Sequence, residues 1–167
     1  MIDTSKWMTY YVDELFAIRS GDEISDDNYS EEKDEEYRFP IITEDGVIGY
    51  CSYYNCEGKC IVAPVDENVL YATYQPGPCW VDKFMNMYKY KYKPSGFVMK
   101  PLHEMFFAHM LRVNRTTIKL PRAKNGYPDM DKIEKCTREI VTELVTDIVN
   151  NRKKIREVLE REELDGN

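Results

Sequence analysis

The chain has no apolar run near the roughly 20 residues that a membrane-spanning helix requires, so none of its 167 residues is expected in a bilayer. Its opening residues, Met1 through Trp7, lack the basic and apolar regions of a secretory leader, and a cytoplasmic location is expected. Histidine is scarce. His103 and His109 are six apart, so a helix would not put them on one face as i,i+4 metal ligands. His109 is expected to pack or cap in the core. The cysteines Cys51, Cys56, Cys60, Cys79 and Cys136 are odd in number and irregularly spaced. No CxxC or neighbouring histidine completes a tetrahedral set around Cys56 and Cys60, so reduced, metal-free thiols are expected.

Catalytic signatures are missing too. There is no P-loop, no Asn-Pro-Pro-Tyr methyltransferase motif and no glycine-rich cofactor loop. Asp45, Glu57 and Lys59 come nearest to a nuclease cluster. Both acids adjoin turn glycines, where carboxylates commonly serve local hydrogen bonds. A non-enzyme without cofactor or metal is the expectation.

What is present is segregated charge on a chain of net charge -7. From Asp13 to Glu36 there are eleven acids against two bases, Arg19 and Lys33. From Lys83 to Lys124 there are ten bases against one acid, Glu104. Such segregation can build a local positive surface on an acidic protein, although solvated faces of ordinary elements would look the same.

The hydrophobic pattern divides the chain in two. After an apolar opening segment (Trp7 to Ile18), the polar stretch from Gly21 to Glu36 reads as a mobile loop. Short strands are expected at Phe39–Ile42, Val47–Tyr54, Cys60–Ala63, Leu70–Tyr74, Cys79–Val81 and Asn86–Tyr92, broken by Asp45-Gly46 and by Gln75-Pro76-Gly77-Pro78. Between Pro101 and Val113 the period becomes helical, with Leu102, Met105, Phe106, His109 and Met110 recurring. A further short strand carries Ile118 and Leu120 and stops at Pro121, followed by an Asn125-Gly126 turn. Pro128-Asp129 then opens one long helix, expected from Asp129 to Leu164. On it Val141, Leu144, Ile148, Asn151, Ile155 and Val158 step by three and four as a heptad seam. Asn151 lies within the seam, where a polar residue costs stability and fixes register or partner number.

Lys89, Lys91 and Lys93 alternate with Tyr88, Tyr90 and Tyr92, so a strand would place lysines on one face and tyrosines on the other. This suits a phosphate-contacting strand and equally an edge strand protected from aggregation by its lysines. Lys83 and Lys100 are further candidates for phosphate. Arg112, Asn114 and Arg115 suit base edges, because guanidinium forks match guanine and amides match adenine. Tyr50, Tyr53 and Tyr54 would line the same groove or lie buried in the sheet.

Four segments in order resemble the target-recognition domains of type I restriction-modification specificity subunits. They are Trp7 through Gly21, Phe39-Pro-Ile-Ile with Gly46-Val-Ile-Gly-Tyr50, Tyr71-Ala-Thr-Tyr-Gln-Pro-Gly-Pro-Cys-Trp-Val81, and Ile118-Lys-Leu-Pro121 with Asn125-Gly126 and Pro128-Asp129. The resemblance implies an α+β fold: a curled, β-rich target-recognition domain with short helices over residues 1–127, then a long C-terminal helix over 128–167. It also implies a non-catalytic module that reads one half of a split site in double-stranded DNA. That module would position a DNA methyltransferase subunit and pair as a homodimer through the helix. The lysines above, with Arg112, Asn114 and Arg115, would then face DNA, and the heptad seam would face the partner. Family members usually carry an extra segment between the Met105-Phe106-Phe107 helix and Ile118, where this chain has only Leu111 to Thr117. That difference and the acidic tract suit an alternative: a decoy or anti-restriction regulator that occupies the methyltransferase's docking surface and reads no DNA.

Overall fold

The computed structural model describes residues 3–165, apart from the side chains of Leu144 and Asp165. The chain opens with strand β1 (Met8–Tyr11), a single helical turn α1 (Val12–Leu15) and strand β2 (Phe16–Ser20). Strands β3 (Phe39–Thr43), β4 (Gly46–Cys51), β5 (Cys60–Pro64), β6 (Thr73–Gln75), β7 (Trp80–Val81) and β8 (Met85–Tyr90) follow. Helix α2 (Pro101–Val113), strand β9 (Thr117–Leu120) and the long helix α3 (Met130–Asp165) complete the α+β fold.

Three small sheets result. Among the described residues their strand orders are β1-β9, β2-β8-β5-β6 and β4-β3-β7, with only the β3-β7 pair parallel. Period-two alternation gives the four-stranded sheet a core on each face. Phe16, Ile61, Ala63, Tyr88 and Tyr90 point into the main core with α2 and the root of α3. Cys60, Val62, Met85 and Met87 point to the other side, against Ile42, Cys56, Cys79 and Val81. A third cluster, Ile41, Cys51 and Trp80, sits under the β3–β4 hairpin.

From β3 onward the strands fall where expected, with shifted ends, whereas β1 and β2 arise in the opening segment, for which no strand was expected. The second expected strand stops at Cys51 rather than Tyr54. There the amide and hydroxyl of Ser52 donate to Asn28 Oδ1 at 2.8 and 2.7 Å, drawing the chain off the ladder. The fourth strand begins at Thr73, not Leu70, because Val69 N and Tyr71 N donate to Asp66 O and Val69 O in a local turn. Strand β8 ends at Tyr90, so Lys91 and Lys93 lie beyond it.

The Gly21–Glu36 stretch departs from the mobile loop expected of it. Its main chain joins Ser30 to Tyr50 through reciprocal hydrogen bonds, and Trp80 Nε1 donates to Asp22 O at 3.0 Å. Gly49 makes this docking possible. A Cβ there would lie 2.4 Å from the Tyr29 ring and 2.8 Å from Ser30 O.

Helix α2 has the expected span but a rotated buried face. His103, Glu104, Phe106, Phe107, Ala108 and Leu111 are buried, whereas Met105 and His109 are exposed. The core histidine is therefore His103, not His109. At the helix end, Asn114 Oδ1 accepts the amides of Thr116 and Thr117 and turns the chain into β9.

Helix α3 begins where Asp129 Oδ1 accepts the Lys132 amide at 3.1 Å, a side-chain N-cap. Its first two turns are anchored by buried Met130, Ile133, Cys136 and Thr137. Ile140 and Val141 are half-buried beside α2, and from Thr142 onward every described side chain is exposed. At 1.5 Å per residue, its 36 residues span about 54 Å. No helix among the described residues is long and apolar enough to cross a membrane.

Candidate nucleic-acid interface

Antiparallel pairing of β2 with β8 builds the centre of the candidate site. The register sets Ala17 opposite Lys89 and Arg19 opposite Met87. Tyr88 and Tyr90 are buried in the main core, so Lys89 between them emerges on the opposite face, exposed. There it borders an open cavity of about 550 Å³ with Arg19, Tyr54, Asn55, Cys56 and Glu57. A second cavity of about 410 Å³ shares Lys89, Glu57 and Gly58 and adds Lys59, Lys93 and Glu104. Lys89 thus stands on the ridge between two concave surfaces.

The candidates from the sequence separate into groups. Lys89 and Lys93 come together, although the ladder ends before Lys93. Lys83 lies apart, paired with Glu23 at 3.3 Å and standing 5.2 Å above the Phe84 ring. Lys100 pairs with Glu134 of α3 at 3.1 Å. Lys91 is exposed just after β8, its amide donating to Leu15 O.

Of the proposed base-edge readers Arg115 is buried, while Arg112 and Asn114 are exposed and hydrogen-bond to the main chain. The guanidinium of Arg115, 6% exposed, donates to the main-chain oxygens of Pro64 and Asp66. Arg112 Nε donates to Ala72 O at 2.7 Å. Asn114 uses its side-chain oxygen to end α2. In this arrangement Arg115 is a clamp on the chain leaving β5, not a free fork.

Arg19 and Lys59 join the basic surface and were not among the sequence candidates. Arg19 sits in an acidic stretch, and only the β2–β8 register brings it to the lysine face. Its guanidinium donates to Asn55 O at 2.6 Å. The tyrosines divide: Tyr53 and Tyr54 are exposed, packing edge-on against Trp80 and Phe39, while Tyr50 is half-buried.

Two acids face these bases: Glu57, exposed, borders both cavities, and Glu104 lines the second. Glu104 is 4% exposed, and its Oε2 has no hydrogen-bond partner among the described residues. Burial raises its pKa to about 7, against the opposing pull of Lys93 and Lys89. At neutral pH it is therefore only partly charged and offsets little of the lysine field.

Along α3 the expected seam is laid out on one side. Ile148, Ile155 and Val158 are 52%, 61% and 53% exposed, with Asn151 exposed among them. Val145 and Leu159 widen the stripe. Val141 instead helps line a small cleft with Met105, Phe106 and His109 of α2. The Leu144 side chain lies outside the described residues.

No protein-family model and no curated protein matches the sequence. Solved structures do match its fold. The S subunit of a type I restriction-modification system from M. genitalium superposes with a TM-score of 0.56 at 15% identity, over 88% of this chain and 43% of that one. A protein from a study of complex assembly and conformational transition of the type I R-M system gives 0.59 at 10% identity, over 93% and 43%. The HsdS subunit of Thermoanaerobacter tengcongensis gives 0.54 at 13% identity, over 84% and 38%. This chain spans about two fifths of the length of those proteins. It has the fold of part of a type I restriction-modification S subunit.

Proposed function

We propose that the chain is a non-catalytic DNA-specificity module acting in the cytoplasm. It reads one half-site of double-stranded DNA, positions a methyltransferase subunit, and pairs with a second copy through α3. The observation that carries this reading is the S-subunit fold over most of the chain, with α3 leaving the compact part and presenting an unpartnered apolar stripe. In this reading Lys89, Lys93, Lys59 and Arg19 supply sequence-independent attraction to phosphate. Two-fold pairing of the helices would match a palindromic, interrupted target.

The test is a fluorescence-anisotropy titration with random-sequence duplex at about 50 and 200 mM salt, where counterion release makes phosphate binding fall steeply. Salt-sensitive binding, weakened equally for all sequences by Lys89→Glu with Lys93→Glu, is expected. Affinity that ignores both salt and charge reversal would remove this face from the DNA surface.

A second reading is favoured by the burial of Arg115, whose guanidinium is engaged by two main-chain oxygens. The module would then occupy a methyltransferase's docking surface without reading DNA. Capture of a methyltransferase subunit together with no duplex affinity at low salt would select it.

A further inference from the structure

Three thiols cluster on the side of the four-stranded sheet away from α2. Cys56 Sγ lies 2.8 Å from Cys60 Sγ. That is inside ordinary contact for two sulfurs, though longer than the roughly 2.05 Å of a disulfide bond. Cys79 faces Cys56 across an antiparallel bridge in which each amide donates to the other's carbonyl, at 3.1 and 3.0 Å. All three are free and buried. Among the described residues no group of His, Cys, Asp or Glu is placed to hold a metal, so metal ligation does not account for the cluster.

The turn between the close pair is built to bring it together. Gly58 and Lys59 both have positive φ, +99° and +53°. A Cβ at Gly58 would lie 2.6 Å from the Gly77 main chain, so glycine lets the turn press against the Gln75–Pro78 loop. Cys56 and Cys60 also line the open cavity of about 550 Å³ beside Arg19, which gives a small oxidant a route to them.

We infer that Cys56 and Cys60 form a redox-active dithiol that closes reversibly to an intramolecular disulfide when a small disulfide such as oxidised glutathione enters the cavity. Cys56 is the attacking sulfur. The Cys60 and Cys79 thiols donate to it and hold its pKa down, with the Arg19 charge adding to the effect. The Cys56 thiolate attacks one sulfur of the oxidant, forming a mixed disulfide and expelling one glutathione thiolate. Cys60, deprotonated as it reacts, then attacks the Cys56 sulfur and expels the second glutathione. Two protein thiols are oxidised, one glutathione disulfide is reduced, and both protons end on the two glutathiones. Closure fixes the Glu57–Lys59 turn, which borders both cavities of the basic face. The inference is independent of DNA reading, because its readout is the bond itself.

The test incubates the full chain with oxidised glutathione, quenches with acid, denatures, alkylates with iodoacetamide, and maps the linkage by tandem mass spectrometry. Two of the five thiols should become unreactive, the fragments should join Cys56 to Cys60, and dithiothreitol should restore both. Cys79→Ala should still lose two thiols, and Cys56→Ala none. Five reactive thiols in the unsubstituted chain after incubation with oxidised glutathione, a bond to Cys79 instead, or full thiol retention in treated Cys79→Ala would each overturn the inference. The linkage map of the unsubstituted chain decides the matter even if a variant fails to fold.

Discussion

The Nε2–H of His103 donates to the main-chain oxygen of Met130 at 3.1 Å, while its Nδ1 accepts the Lys100 amide at 3.1 Å. One buried ring thus closes the start of α2 and locks it to the first residue of α3. The two contacts assign the neutral tautomer, because Nδ1 must be bare to accept.

This bond makes the base of the projecting helix sensitive to acid. Burial lowers the His103 pKa, with Glu134 at 3.9 Å working the other way. The unfolded ring, with a pKa of about 6.5, takes up its proton before the folded one. The contribution of His103 is therefore complete above about pH 6.5 and is lost as pH falls toward the depressed folded value. His103→Gln should lose about 2 kcal/mol at pH 7.5, where two hydrogen bonds are disturbed. In urea melts the gap to the parent protein should narrow at pH 5.5. A gap of constant size would sink the tautomer assignment.

Glu104 acts in the opposite sense. Its pKa is raised by burial to about 7, so between about 4.5 and 7 the folded state holds a proton that the unfolded state has released. Stability from this residue falls as pH rises through that window and is lowest above it. Glu104→Gln removes the penalty. It should stabilise the protein by up to about 3 kcal/mol at pH 8 and by little at pH 5. Equal effects at both pH values would show that the carboxylate is solvated or paired.

Arg115 separates what the sequence could reveal from what it could not. From β3 onward element order was legible because period switches at Pro101 and Asp129, and turn residues such as Asn125-Gly126, act locally, whereas β1 and β2 went unread in the apolar opening segment. The α2 span and the start of α3 follow from such local signals. The site was legible only in part. Lys89 was visible from alternation with buried tyrosines, whereas Arg19 reaches the same face only through a partner strand almost 70 residues away in the chain. Nothing local distinguishes an arginine aimed at solvent from one clamped on two carbonyls. Likewise, the acidic loop looked mobile because Asn28 and Gly49, which hold it, signal docking only in three dimensions.

That clamp has its own expected outcome. Arg115→Ala leaves the carbonyls of Pro64 and Asp66 without their donor and opens space in a buried position. A loss of about 2–4 kcal/mol is expected. Any fall in duplex affinity should vanish once samples are compared at equal folded fraction. A stable variant with altered base preference would instead return Arg115 to the DNA surface.

The stripe on α3 can be tested without disturbing the compact part. Ile148 and Ile155 are more than half exposed in the single chain, so Ile148→Glu with Ile155→Glu should leave the unfolding free energy within about 0.5 kcal/mol of the parent. Sedimentation equilibrium should nevertheless show self-association abolished, because two charges would be buried in the seam. Asn151 provides the opposite lever. If it faces its counterpart across a two-fold axis, Asn151→Leu replaces a polar contact by an apolar one. Burying an imperfectly paired amide costs about 1–3 kcal/mol, so the substitution should tighten association at least about tenfold. It should also admit assemblies larger than dimers, since the residue that fixes partner number is gone. Unchanged association in both variants would mean that the stripe serves another protein, and that two copies of this chain do not meet there.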